Sequence, residues 1–208
     1  MDATAGSLTT GNGLLRTLLK PGNVIPALVW LFLLVNQARL SSFPPSPSTV
    51  LLIVIYTHVV VLFMLRRDAM RTGNLVEGIV ALGGTFAVSF LKGPELRDTQ
   101  LVPSLIQVAA LLGWAWALFT LGRSFGVVPA DRGLVSHGPY RLVRHPIYAF
   151  EALFFATYFY LSPTLYNAVI MVVANLLQVV RIVREEKIIE GYDEYRTRVR
   201  WRILPRIW

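Results

Sequence analysis

Between Leu134 and Phe150 the chain reads LVSHGPYRLVRHPIYAF, and His137, Arg141, Arg144 and His145 stand there beside Tyr140, Tyr148 and two prolines. Strongly apolar runs flank this stretch on both sides. Polar and charged groups next to a bilayer are costly unless something binds them, so the composition points to a bound polar ligand. A second set follows: Asn175, Gln178, Arg181 and Glu185 recur at spacings of three, three and four, which puts them on one face of a helix. An exposed Arg181–Glu185 pair alone would be worth only ~0.3 kcal/mol. Its order, with the base before the acid and the acid near the helix end that disfavours it, is also the poorer one. Local stability therefore explains the stripe badly, and it is predicted to face a ligand. Three scattered histidines and no cysteine offer no metal-ligand spacing, so no metal is expected.

The elements that must position these residues are membrane helices. With 54% hydrophobic and 15% charged residues in 208, the chain has the composition of one integral membrane domain. The net charge of +8 does not imply nucleic acid, because the cations gather at the ends of apolar runs, where headgroups and cytosol meet them. Six apolar segments are predicted: residues 24–40, 49–65, 75–91, 101–122, 147–161 and 165–183. The proline-bearing SSFPPSPS separates the first two, and the short SPT at 162–164 predicts a tight hairpin of the last two. His58 suits a helix-to-helix hydrogen bond, Glu77 a pairing with a loop arginine, and Trp114 and Trp116 packing or interfacial anchoring.

Loop charge orients the bundle. Arg66, Arg67 and Arg71 in one loop, and Arg123, Arg132, Arg141 and Arg144 in another, share a side with the tails; the opposite loops carry no cationic excess of that size. Both termini and the 134–150 stretch are therefore expected in the cytoplasm.

GPYRLVRHPIY at 138–148, preceded by LVSH and followed by REE at 184–186, YDEY at 192–195 and VRWRILPRIW at the end, resembles the isoprenylcysteine carboxyl methyltransferase family of integral membrane enzymes. The similarity runs from about Leu112 to Trp208. It implies an all-α membrane bundle with a cytoplasmic pocket and S-adenosylmethionine as cofactor. It also implies membrane lipids and a lipophilic or prenylated acceptor as partners. On the family's pattern, Leu134, Val135, Tyr140, His145, Pro146, Tyr148 and Glu185 would surround the cofactor. Arg181, one helical turn before Glu185, would face the acceptor with Phe150 and Gln178, and Arg181, Glu185 and Arg144 would be the catalytic residues. The organisation expected is a tail over 1–22, N-terminal spans over 23–100 and a methyltransferase core over 101–208. The chain departs from the pattern where Arg132 replaces a histidine two residues before LV. It departs again where Phe150 replaces a glycine, which would reshape the acceptor tunnel.

A carboxylate acceptor is already ionised and needs only orientation, which an arginine clamp supplies. An amine acceptor, as in related phospholipid methyltransferases, would need a base such as Glu185 or Glu151. Desolvation at the membrane edge would speed a transfer that destroys charge. Each residue type also has a plainer use: Arg144 and His145 can snorkel, Tyr140 and Tyr148 suit an aromatic belt, and the basic run over 196–206 suits a lipid surface. A small transporter would instead carry its polar residues at mid-bilayer, often on inverted repeats.

Overall fold

The computed structural model describes residues 18–41, 43–92 and 100–208, so most of the expected tail and of the KGPELRDTQ loop lies outside the described residues. The chain divides into two units, one ending at Arg67 and the other beginning at Asp68.

The first unit holds helices α1 (Pro21–Leu40) and α2 (Pro47–Leu65). Each begins with proline at its first turn, where a missing amide hydrogen costs nothing, and Ser46 caps α2 by accepting from the Thr49 amide. Trp30 meets Tyr56 edge to face at 5.3 Å between α1 and α2. The Arg66 guanidinium donates to Asn23 Oδ1 at 2.8 Å, tying the end of α2 to the start of α1.

The second unit contains α3 (Leu75–Ala87), α4 (Leu101–Leu121), α5 (Pro146–Leu161), α6 (Leu165–Ile188) and the short α7 (Tyr192–Arg198). Helix α3, which the sequence groups with the preceding spans, packs here against α6. Asn74 and Glu77 close a capping box at its start, and Glu77 also faces Arg184 of α6 at 3.6 Å instead of a loop arginine. Among the described residues four helices are long and apolar enough to cross a bilayer: Pro21–Arg39, Pro47–Leu65, Leu101–Ser124 and Leu165–Ile188. The other two expected segments are also helical but shorter. Leu75–Phe90 falls below spanning length and α5 has 16 residues, about 24 Å of helix against a hydrocarbon core of about 30 Å.

The hairpin reading needs correction. The turn between α5 and α6 is short, but the two arms splay: α5 packs along α4, and α6 along α3. The separation begins at Asn167, fully buried at the turn, whose side chain bonds to Lys92 N, Lys92 O and Ser162 O and so secures α6 to the end of the α3 segment. On the other side Gly113 of α4 receives the Phe150 ring so closely that a Cβ there would overlap it, which fastens α5 to α4. The all-helical expectation also misses a small antiparallel ladder, β1 (Arg71–Thr72) with β2 (Ala130–Asp131), which joins the α2–α3 loop to the strand before LVSH. Asp131 is 1% exposed and accepts from the Gly133 and Glu190 amides, binding that ladder to the foot of α6.

Candidate functional site

Two adjacent glutamates on the last turns of α6 organise the site, and helical geometry sends them to different neighbours. Glu185 Oε1 accepts from the Tyr148 hydroxyl at 3.0 Å and from Arg181 Nε at 3.0 Å. Arg181 is itself buried and donates Nη1 to Thr85 Oγ1 at 3.2 Å and Nη2 to Gly126 O at 3.0 Å. Its guanidinium carbon stands 5.2 Å from the centre of the Tyr148 ring. The pair that the spacing permits is therefore formed, but as part of a buried assembly drawn from α3, α5, α6 and the loop at Gly126. Both bonds to Glu185 fall on Oε1, Oε2 is left open, and the side chain is 17% exposed. All three Arg181 nitrogens have partners within the protein, which leaves two N–H groups of its fork for anything else.

Glu186 gathers the second assembly. Arg202 Nε and Nη2 grip its two oxygens at 3.0 Å each, and the Tyr192 hydroxyl donates to Oε1 at 3.2 Å. His145 Nε2 lies 3.2 Å from the same oxygen and 3.0 Å from the Tyr192 hydroxyl, while Arg144 Nη1 is 3.4 Å away. The backbone repeats this link, since the amides of Arg144 and His145 donate to Trp201 O and Arg202 O at 2.8 Å. The RHP loop is thus clamped between the foot of α6 and the C-terminal segment.

The remaining cofactor candidates lie between residue 134 and the start of α5. Gly138 takes φ +58 and lies so close to Thr120 that a side chain would clash; its turn starts the 3-10 segment Gly138–Arg141 that buries Tyr140. The Tyr195 hydroxyl donates to Tyr140 O at 2.6 Å. Burial lifts the Tyr140 hydroxyl well above the usual tyrosine pKa and the Glu185 charge adds to this, so Tyr140 stays a neutral donor close to Glu185. Burial raises Tyr192 and Tyr195 in the same way. Leu134 packs on the cluster of Tyr192, Tyr195 and Val199, Val135 is half-buried beside it, and fully buried Pro146 opens α5.

The upper half of the stripe faces a cleft where α5 and α6 splay. This cleft, about 460 Å³ counting its open mouth, is lined by Tyr148, Glu151, Phe155, Asn175, Gln178 and Ile182 among others. Gln178 Nε2 donates to Glu151 Oε2 at 3.2 Å. Phe150, an expected acceptor contact, turns away onto Gly113 and is absent from the lining. Arg132 is buried against Gly126, where a Cβ would lie 2.5 Å from its Nη1; it buttresses the loop whose carbonyl holds Arg181.

The sequence reading gathers Tyr140, His145, Tyr148 and Glu185 around one cofactor, whereas the structure groups Tyr148, Arg181 and Glu185 in one assembly and His145 with Arg144 around Glu186 in another. The sequence reading missed Glu186, Tyr192, Arg202 and Thr85. The REE, YDEY and VRWRILPRIW motifs contained three of these, while Thr85 inside an apolar run gave no signal of its own.

No curated protein matches this chain. Residues 101–190 match the family model described as the isoprenylcysteine carboxyl methyltransferase (ICMT) family, a range that spans α4, the GPYRLVRHPIY loop, α5 and α6 with both glutamates. Among the described residues four helices are apolar and long enough to cross a bilayer, and the match over 101–190, a little under half of the chain, makes this region similar to the isoprenylcysteine carboxyl methyltransferase family.

Proposed function

We propose that this protein is a membrane-embedded methyltransferase that moves a methyl group from S-adenosylmethionine to a lipophilic acceptor. The observation that carries the reading is Glu185: a largely buried carboxylate fixed through one oxygen by Tyr148 and Arg181, with the other oxygen open and the neutral Tyr140 phenol nearby. That donor set fits a ligand bearing positive charge. Glu185 would hold the ammonium of the methionine moiety, Tyr140 and Tyr148 would wall the site, and Leu134, Val135, His145 and Pro146 would supply the rest of the cofactor contacts. When bound, the cofactor supplies an electrophilic methyl on a positively charged sulfur. Arg181 would orient Glu185 through the bond from its Nε. Arg144, although a catalytic candidate by sequence, acts in this reading by holding the RHP loop through Glu186.

The similarity over 101–190 supports a carboxylate of isoprenylcysteine type as the first acceptor, and the two remaining N–H groups of Arg181 would orient it. A second reading, an amine acceptor, is favoured by Glu151 in the cleft beside Tyr148. We assign the methyltransferase core to residues 101–208, with α3 lending Thr85. We place both termini and this site at the cytoplasmic surface, a reading that the basic loops around Arg66 and Arg144 support. Incubating the purified full chain with methyl-labelled S-adenosylmethionine and either S-farnesylcysteine or a single-chain lipid amine tests the proposal. Label in the acceptor supports it and identifies the acceptor class; no cofactor binding and no label in either acceptor overturns it.

A further inference from the structure

The cleft between the splayed arms of α5 and α6 holds an unusual polar pair. Its walls are mostly apolar, from Val88, Ala152, Phe155, Met171, Val179 and Ile182. Into it project the Glu151 carboxyl and the Gln178 amide, and the single bond between them uses Gln178 Nε2 and Glu151 Oε2. Gln178 Oε1 is buried and has no hydrogen-bond partner, and Glu151 Oε1 has none either. Among the described residues no cation comes within ion-pair distance of Glu151, and the nearby Arg181 is engaged by Glu185, Thr85 and Gly126. The cleft therefore presents two acceptor atoms, one on a carboxyl group, with no donor facing them. A buried acceptor without a donor, as Gln178 Oε1 is, is costly, and the mostly apolar walls of the cleft offer it no substitute. The complementary ligand carries N–H groups, ideally on a positively charged nitrogen, attached to an apolar chain. A carboxylate would meet the Glu151 carboxyl and the unpaired Gln178 oxygen there, with only the second N–H of the Gln178 amide to offset them.

We infer that this cleft is a binding site for the nitrogen-bearing part of an amphiphile, with Glu151 and Gln178 accepting its N–H groups and the apolar walls taking its chain. The inference deepens the methyltransferase reading and rests on it only in naming the amphiphile as the methyl acceptor. Two sources share the chemistry: a simple lipid amine, and an S-alkylcysteine, whose nitrogen stands next to its carboxylate. The cleft is adjacent to Tyr148, so an occupant would lie next to the Glu185 assembly.

Calorimetric titration of the purified full chain in one detergent, with no cofactor added, tests the site with three probes: octylammonium, S-octylcysteine, and 3-(octylsulfanyl)propanoate, which keeps the carboxylate and thioether but has no nitrogen. The expected result is that both nitrogen-bearing probes bind at least tenfold more tightly than the propanoate. Glu151→Gln, which preserves shape and removes the charge, should erase most of that preference, and Gln178→Leu a smaller part. Comparing variants in the same micelles cancels partitioning into detergent, and the wild-type probe series is decisive even where a variant fails to fold. Tighter binding of S-octylcysteine than of octylammonium would indicate the cysteine-type source, and the reverse a lipid amine. Equal binding of the propanoate and S-octylcysteine, or octylammonium binding unchanged in a folded Glu151→Gln protein, would overturn the inference. A separate titration with S-adenosylmethionine distinguishes such a failure from failure of the methyltransferase reading.

Discussion

Replacing Glu186 by glutamine should release the RHP loop from the C-terminal segment. Glu186 is 10% exposed and receives Arg202 on both oxygens at 3.0 Å, the Tyr192 hydroxyl at 3.2 Å and Arg144 at 3.4 Å. Glutamine keeps the volume but loses the charge and one acceptor oxygen, so Arg144, 8% exposed, is left without its anion while Arg202, 30% exposed, recovers part of its hydration. Breaking a buried pair costs about 3–5 kcal/mol, and the solvent reaching Arg202 brings the expected loss toward the lower end, about 3 kcal/mol. For a chain of this size that corresponds to a fall in thermal midpoint of roughly 6–12 °C. The assay is thermal unfolding in detergent of wild type, Glu186→Gln, Arg202→Met and the double variant. Because the two residues share a network, the double variant should lose less than the sum of the single losses, by about 1.5 kcal/mol or more. Additive losses, or a midpoint in Glu186→Gln indistinguishable from wild type, would refute the clamp.

Asn167→Ala should lower the midpoint as well, by a loss of about 2–3 kcal/mol, because it leaves the Lys92 and Ser162 carbonyls without the donor that fixes the α5–α6 turn. Tyr148→Phe removes one bond to Glu185 and should weaken S-adenosylmethionine binding several-fold in a titration while leaving the midpoint nearly unchanged. Raising pH tests Tyr192 and Tyr195, whose folded pKa values burial lifts above the ordinary 10.0. Their contribution is complete below pH 10.0 and is lost as the pH climbs from there through the raised folded values. Thermal scans should therefore show the midpoint falling above pH 10.0, and falling less in Tyr192→Phe.

Particular residues explain what could be seen in the sequence. Arg181 and Glu185 were legible because a polar stripe on an apolar helix has no structural excuse, and the structure gives them partners on three other segments. Helix existence was legible from hydropathy alone, but which helices pair was not: the splay of α5 from α6 depends on Gly113 accepting Phe150 and on Asn167 reaching Lys92, contacts between residues far apart in the chain. Phe150 looked like a tunnel residue because it stands where the family favours glycine, yet one position along the helix turns it onto α4 and gives the cleft to Glu151. Glu186 was hidden by its neighbour; only the fold reveals that it meets Arg202 and His145, 16 and 41 residues distant. The short β1–β2 ladder joins segments with no strand-like alternation, so no periodicity announced it.

The central claim is that Glu185 holds the ammonium of a sulfonium cofactor. Isothermal titration of S-adenosylmethionine into the purified wild-type protein and into Glu185→Gln measures it directly. Saturable binding by wild type, weakened at least tenfold in a folded Glu185→Gln protein, about 1.4 kcal/mol or more, is the predicted result. Equal affinity in the two proteins, or no binding by wild type, would contradict it.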